Sequence, residues 1–226
     1  MGQSKMMPRW SRRLFLLSGM MACTGIGCTP ASLWWLARGN GKVAAQYPLP
    51  VKEGKSDVTV LIIGSAPATL PVEFVGVDRE LAVRIGRKMV DETKDDKKPI
   101  RVIEPSKLDQ FKAARPDWNI LTPGQIGLEL GADYVLDVGI TSISLYSHDF
   151  GREVPQGRAS LQVYVYDTSE PDRTYREYGH DSTPRATDAP MLSVANYRRW
   201  FLDRIATEIA WKHIPHVYEK GLGIGR

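Results

Sequence analysis

From residue 58 onward, runs of apolar and polar positions are short and regular enough to predict individual elements. Val58 to Gly64, VTVLIIG, is a continuous apolar run rich in β-branched residues and predicts a strand buried on both faces. Asp78 follows as the N-cap of a helix starting near Arg79, in which Leu81, Ala82, Ile85, Met89 and Val90 share one side. The charged stretch DETKDDKK, residues 91–98, predicts a solvated helix end and turn. Pro99 stops the helix, and Ile100 to Ile103 predicts a second strand. Ser106 with Asp109 opens a short helix through Phe111.

The second half is richer in strands. In TPGQIGLELGAD, Thr122 is an N-cap, Pro123 occupies the first helical position, Gln125 completes a capping box and Gly131 ends the helix. Tyr134 to Tyr146 then alternates, with Tyr134, Leu136, Val138 and Ile140 on one face. RASLQVYVYD repeats the pattern, setting Ala159, Leu161, Val163 and Val165 opposite Ser160, Gln162, Tyr164 and Tyr166. A turn at TSEPD leads to a last strand, Thr174 to Tyr178. A long helix from about Val194 to Ile214 closes the chain, with Phe201, Leu202, Ile205, Ala206 and Ile209 as its buried stripe and Pro215 at its end. The order β-α-β-α-α-β-β-β-α predicts an α/β fold, a mixed sheet with helices packed on it as a sandwich.

Residues Gly131 to Ile140, a capped helix leading into GADYVLDVGI, and Leu161 to Thr168, a strand ending before a tight turn, carry a resemblance. The stretch from about 57 to 215 resembles the amino-terminal domain of the Tol-system β-propeller protein. That fold is shared with the curli-secretion lipoprotein and with lipoprotein activators of penicillin-binding proteins. The resemblance implies a domain used for assembly and protein contacts rather than catalysis.

Charge sharpens this picture. The formal net charge is +4, and residues 1–28 carry Lys5, Arg9, Arg12 and Arg13 with no acid, so residues 29–226 sum to zero. The basic excess belongs to the leader, and the body has no global footprint for nucleic acid. The leader runs from a charged segment into a short apolar one and then small residues, the layout of a secretory signal. Ser11 to Leu16 resembles a twin-arginine export signal through Arg12, Arg13, Phe15 and Leu16, with Leu17 where a lysine is often found; Sec export is the alternative. Gly25-Ile26-Gly27-Cys28 resembles a lipobox, with Cys23 as the second choice for lipidation. Several acyl chains would anchor stably where one is marginal. Two other readings stay open: Leu14 to Ala37 as an uncleaved signal anchor, and a Cys23–Cys28 disulfide. The expected organisation is a signal over 1–28, a tether over 29–56, an α/β domain over 57–218 and a tail over 219–226.

The body offers little chemistry. Gly179-His180-Asp181-Ser182 holds triad residue types side by side, but neighbours on an extended chain diverge, and a polar loop is expected. His148-Asp149 reads in the same way. His213 and His216 are weak metal candidates, because Pro215 between them disturbs helical spacing. IIGSAP, residues 62–67, lacks the further glycines and lysine of a phosphate-binding loop, and no cofactor is expected. Tyr197, Trp200, Trp211 and Tyr218 in and after the last helix are core or rim residues on one reading and a partner-docking surface on the other.

The expectation is a non-enzymatic envelope lipoprotein, anchored to the membrane with its domain facing the periplasm and contacting an unidentified envelope protein. The alternatives are an exported enzyme or ligand-binding domain, and a peripheral subunit of a secretion or transport complex working as a homo-oligomeric ring.

Overall fold

A computed structural model of the chain describes residues 42–146, 155–184 and 193–217, all within one unit beginning at Lys42. The elements follow the predicted order: β1 (Val58–Ser65), α1 (Val77–Thr93), β2 (Ile100–Val102), α2 (Pro105–Ala114), α3 (Pro123–Glu129), β3 (Tyr134–Tyr146), β4 (Pro155–Asp167), β5 (Thr174–Ser182) and α4 (Val194–His213). Short 3-10 turns at Val72–Phe74 and Trp118–Ile120 join them.

The five strands form one mixed sheet in the order β2-β1-β3-β4-β5. Strand β1 lies parallel to both β2 and β3, so that Val60 faces Val102 on one side and Tyr134 on the other. Each parallel pairing is reached through helices, as a crossover requires. The remaining pairs, β3 with β4 and β4 with β5, are antiparallel. The chain is thus of the α/β class.

Helices α1 and α4 cover one face of the sheet. Leu81, Ile85 and Met89 of α1 and Phe201, Leu202, Ile205 and Ile209 of α4 are buried against Val60, Leu136, Val138, Leu161 and Val163. Burying each large aliphatic or aromatic side chain is worth about 1.5–3 kcal/mol before entropy is counted, so this layer dominates the fold. A smaller cluster on the opposite face joins Leu61, Ile103, Leu108, Ile126, Ala132 and Val135. Helices α2 and α3 therefore cover the β1–β3 side of that face.

Several local expectations are corrected. Helix α1 is capped by Gly76 in the left-handed region (φ 74), with Asp78 inside the first turn, so the helix starts two residues before Arg79. Val90 is 37% exposed rather than core. Thr93, inside the charged stretch, is buried: its hydroxyl donates to the Met89 carbonyl and accepts from the Ile100 amide, tying α1 to β2. The Thr122 capping box forms as expected.

Within the stretch read as a tether, residues 42–56 are instead seated on the body. Val43 forms an antiparallel bridge with His216, and the Tyr47 amide donates to the Lys212 carbonyl. Leu49 is buried, the Tyr134 hydroxyl donates to the Pro50 carbonyl, and Lys52 and Lys55 pair with Asp167 and Asp133. The segment lacks a hydrophobic period because it is held by isolated anchors rather than by a repeating face.

Candidate functional site

The side of the sheet opposite α1 and α4 has no described helix over β4 and β5 beyond the end near Thr168. Alternation along the strands brings polar side chains into register there. Ile63, Asp137, Tyr164 and Glu177 form one cross-strand row, and Ser65, Gly139, Gln162 and Gly179 form the next. Ser142, Ser160 and Asp181 continue the face. Glu177, Gly179 and Asp181 are exposed, and Tyr164, Gln162 and Ser160 are half-exposed. The Gln162 amide donates to Glu177 Oε1 at 2.8 Å, fixing both side chains across β4 and β5.

Charges tune this face. Burial pushes the Asp137 carboxyl above its ordinary value, and the nearby Lys112 ammonium offsets part of the shift. Lys112 itself sits 4.4 Å over the Trp118 ring, which sets the cation at the border of the face. The Glu177 charge raises the pKa of the Tyr164 phenol, so the hydroxyl remains a donor.

Behind β5 lies a buried ionic cluster. His180 Nε2 donates to Glu208 Oε2 at 3.0 Å, and Arg204 Nε donates to Glu208 Oε1 at 2.8 Å. All three residues are less than a tenth exposed. Burial alone would raise the Glu208 pKa; the His180 hydrogen bond and the charges of His180 and Arg204 outweigh it, and the carboxyl titrates below its usual range. Ser182 Oγ is close to Glu208, yet it makes no hydrogen bond of regular geometry with it or with any other described group.

This corrects the reading of Gly179-His180-Asp181-Ser182 as a polar loop. The stretch is the second half of β5, with His180 and Ser182 turned inward and Asp181 outward. The carboxylate is the hub of the cluster, receiving His180 and Arg204 together. In a serine hydrolase the imidazole is the hub and bridges nucleophile and acid, so this arrangement does not reproduce a triad. The one signal in the sequence is the period-2 alternation that Tyr178, His180 and Ser182 continue, and their polarity disguises it.

His213 and His216 do not converge on a shared metal position. His213 is 2% exposed; its Nδ1 meets the Tyr47 carbonyl at 3.0 Å and its Nε2 meets the Tyr178 hydroxyl at 2.7 Å, which occupies both ring nitrogens. His216 stacks on Trp211, with ring centroids 4.2 Å apart. No group of three or more metal-ligating side chains occurs among the described residues.

The aromatic docking surface is corrected in part. Tyr197 is buried, its hydroxyl accepting from the Gly157 amide at 2.6 Å and its ring stacked near Phe201. Trp211 is 6% exposed. Trp200 is partly buried at the rim of the core. These side chains serve packing because α4 contacts the sheet, α1 and the segment before β1, leaving little of its surface outward. Gly64 of IIGSAP lies within β1, where a Cβ would come within 2.2 Å of the Asp78 carbonyl oxygen, so it permits strand–helix contact. Arg12, Arg13, Phe15, Leu16, Cys23, Cys28, His148, Asp149 and Tyr218 lie outside the described residues. Among the described residues, no helix is long and apolar enough to cross a membrane.

No protein-family model matches the chain, and no curated protein matches it. Among solved structures, the chain is similar to the PelC dodecamer from Paraburkholderia phytofirmans, at 7% identity and a TM-score of 0.44 over 73% of this chain and 93% of that one. It is similar to protein XCC0632 from Xanthomonas campestris, at 14% identity and a TM-score of 0.41 over 75% and 91%. It is also similar to lipoprotein GNA1162 from Neisseria meningitidis, at 11% identity and a TM-score of 0.37 over 67% and 99%. At these identities and TM-scores the likeness carries no role over to this chain.

Proposed function

We propose that the chain is an exported envelope lipoprotein, membrane-tethered through Cys28, whose α/β domain is a non-enzymatic docking module for another envelope protein. The docking part rests on one observation, the face of β3, β4 and β5 that no described helix covers, on which Asp137, Tyr164 and Glu177 form one cross-strand row with Gln162 in the next. A sheet face with half-exposed tyrosine and hydrogen-bonded polar groups suits a protein partner, at whose interfaces tyrosine is enriched. The address rests on the leader, with its paired arginines, short apolar run and cysteine after a small residue. The resemblance to the Tol-system and curli-secretion domains agrees with an assembly role.

Two measurements separate these parts. Radiolabelled palmitate fed to a bacterial host expressing the full chain is expected to enter the wild type and not Cys28→Ala. Undiminished labelling of the variant would remove the anchor from this position. The docking face is tested independently by photocrosslinking in intact cells from Tyr164 and Glu177, where one discrete adduct is expected and its absence would remove the docking reading.

A further inference from the structure

A groove of about 620 Å³ runs between α1 and α4, on the outer side of the helical layer. Its walls hold Arg79, Glu80, Arg84 and Arg87 from α1 and Arg199 and Asp203 from α4, with Gly76 at the amino end of α1. Four arginines therefore face two carboxylates. Residues 29–226 as a whole carry no net charge, so this excess is a local feature rather than a property of the surface at large.

The carboxylates are already engaged. Glu80 Oε1 accepts from Arg84 Nη2 at 2.7 Å, and Glu80 Oε2 accepts from Arg198 Nη2 at 2.7 Å across the helix pair. Arg84 also donates to Asp203 Oδ1. Burial opposes ionisation of Glu80, but its two arginine partners overcome it and hold the carboxyl below its ordinary pKa. Arg79 pairs with Asp109 outside the groove through half-exposed side chains, an ion pair of little worth that is easily exchanged. Arg87 and Arg199 are exposed and have no acidic partner within ion-pair distance among the described residues.

The inner layer thus fixes two guanidinium groups in place, while two outer ones remain open in the same concavity. Guanidinium forks match the oxygens of phosphate in bidentate fashion, and a phosphate group carrying close to two negative charges balances the excess. We infer that the α1–α4 groove is a binding site for a phosphate-bearing anion, held by Arg87 and Arg199 with Arg79 at the rim. The site lies on the opposite side of the sheet from the docking face and does not depend on it.

The test is calorimetric titration of the full chain in detergent, at low salt, with two probes: sodium pyrophosphate and dioctanoyl phosphatidic acid, whose phosphomonoester headgroup approaches two negative charges. Binding of pyrophosphate alone identifies a free anion as the ligand type, and binding of the lipid identifies a headgroup; both outcomes support the site. The double variant Arg87→Gln/Arg199→Gln should weaken the binding by about tenfold or more, with the melting temperature of the unliganded protein nearly unchanged, because both side chains are exposed and have no acidic partner among the described residues. Lys107→Gln, an exposed cation outside the groove, should leave binding as it is. The inference is overturned if neither probe binds at millimolar concentration, if the double variant binds as tightly as the wild type, or if Lys107→Gln weakens binding equally.

Discussion

The hydroxyl of Tyr178 on β5 and Nε2 of His213 on α4 lie 2.7 Å apart in a buried layer, and the same imidazole reaches the Tyr47 carbonyl through Nδ1 at 3.0 Å. A carbonyl only accepts, so Nδ1 carries the proton, Nε2 is the acceptor and Tyr178 donates to it. One neutral imidazole therefore ties together the sheet, the last helix and the segment that enters the domain.

Protonation of His213 should loosen this junction. Burial depresses its pKa from 6.5 to about 4, with the Lys212 and Arg176 charges adding to the effect and the Tyr47 carbonyl opposing it. The folded protein binds this proton more weakly than the unfolded chain does. Stability is full above pH 6.5 and falls as the pH drops toward 4, by a contribution of up to about 3 kcal/mol. Urea unfolding across this window should give a midpoint that declines with falling pH, and His213→Asn should flatten part of that decline.

Glu208 holds two buried cationic or hydrogen-bonding partners at once. Glu208→Ala would strand Arg204 and His180 without their shared acceptor and should cost about 3–5 kcal/mol. Glu208→Gln retains one acceptor oxygen and should cost less. Equilibrium denaturation of the two variants checks both the size and the order of the losses. The folded-state carboxyl titrates low, so its contribution is present above the ordinary glutamate range and disappears as the pH falls through the folded value.

The β4–β5 turn is pinned to the start of α3. Thr122 Oγ1 donates to the Pro171 carbonyl at 2.9 Å, Gln125 Nε2 donates to Asp172 Oδ1 at 2.7 Å, and a Cβ on Gly124 would come within 2.2 Å of the Pro171 carbonyl oxygen. Gly124→Ala must displace backbone and should lose about 1–3 kcal/mol, although alanine ordinarily favours a helix. Thr122→Ala removes the cap and should lose about 1 kcal/mol. Thermal melts of both variants test the pinning.

The strands and helices with strong periods were readable from residues alone. Strand β3 runs from Tyr134 to Tyr146 as the alternation predicts, because a capping box fixes where α3 begins and Gly131, with φ 76, follows its end and leads into the strand. Strand β5 was readable only to Tyr178. Beyond it, His180 and Ser182 are polar, and the Glu208 that receives His180 lies 28 positions later, where no local pattern announces it. Residues 42–56 escaped for a similar reason: Lys52 and Lys55 find their carboxylates at Asp167 and Asp133, far along the chain. The open face was partly legible, since Ser160, Gln162, Tyr164 and Tyr166 were already set opposite the core residues. Its neighbours Asp137 and Glu177 join only through strand register.

If the sheet face that no described helix covers is the docking surface, a partner must lie within reach of Tyr164 and Glu177. The direct measurement is photocrosslinking in intact cells, with a benzophenone amino acid placed at Tyr164 or Glu177 on that face, or at Val90 on α1 or Leu128 on α3, both exposed elsewhere. A discrete adduct of one size from Tyr164 and Glu177, absent from Val90 and Leu128, is the predicted result. Adducts from Val90 or Leu128 with none from Tyr164 and Glu177, or none from any of the four, would contradict it.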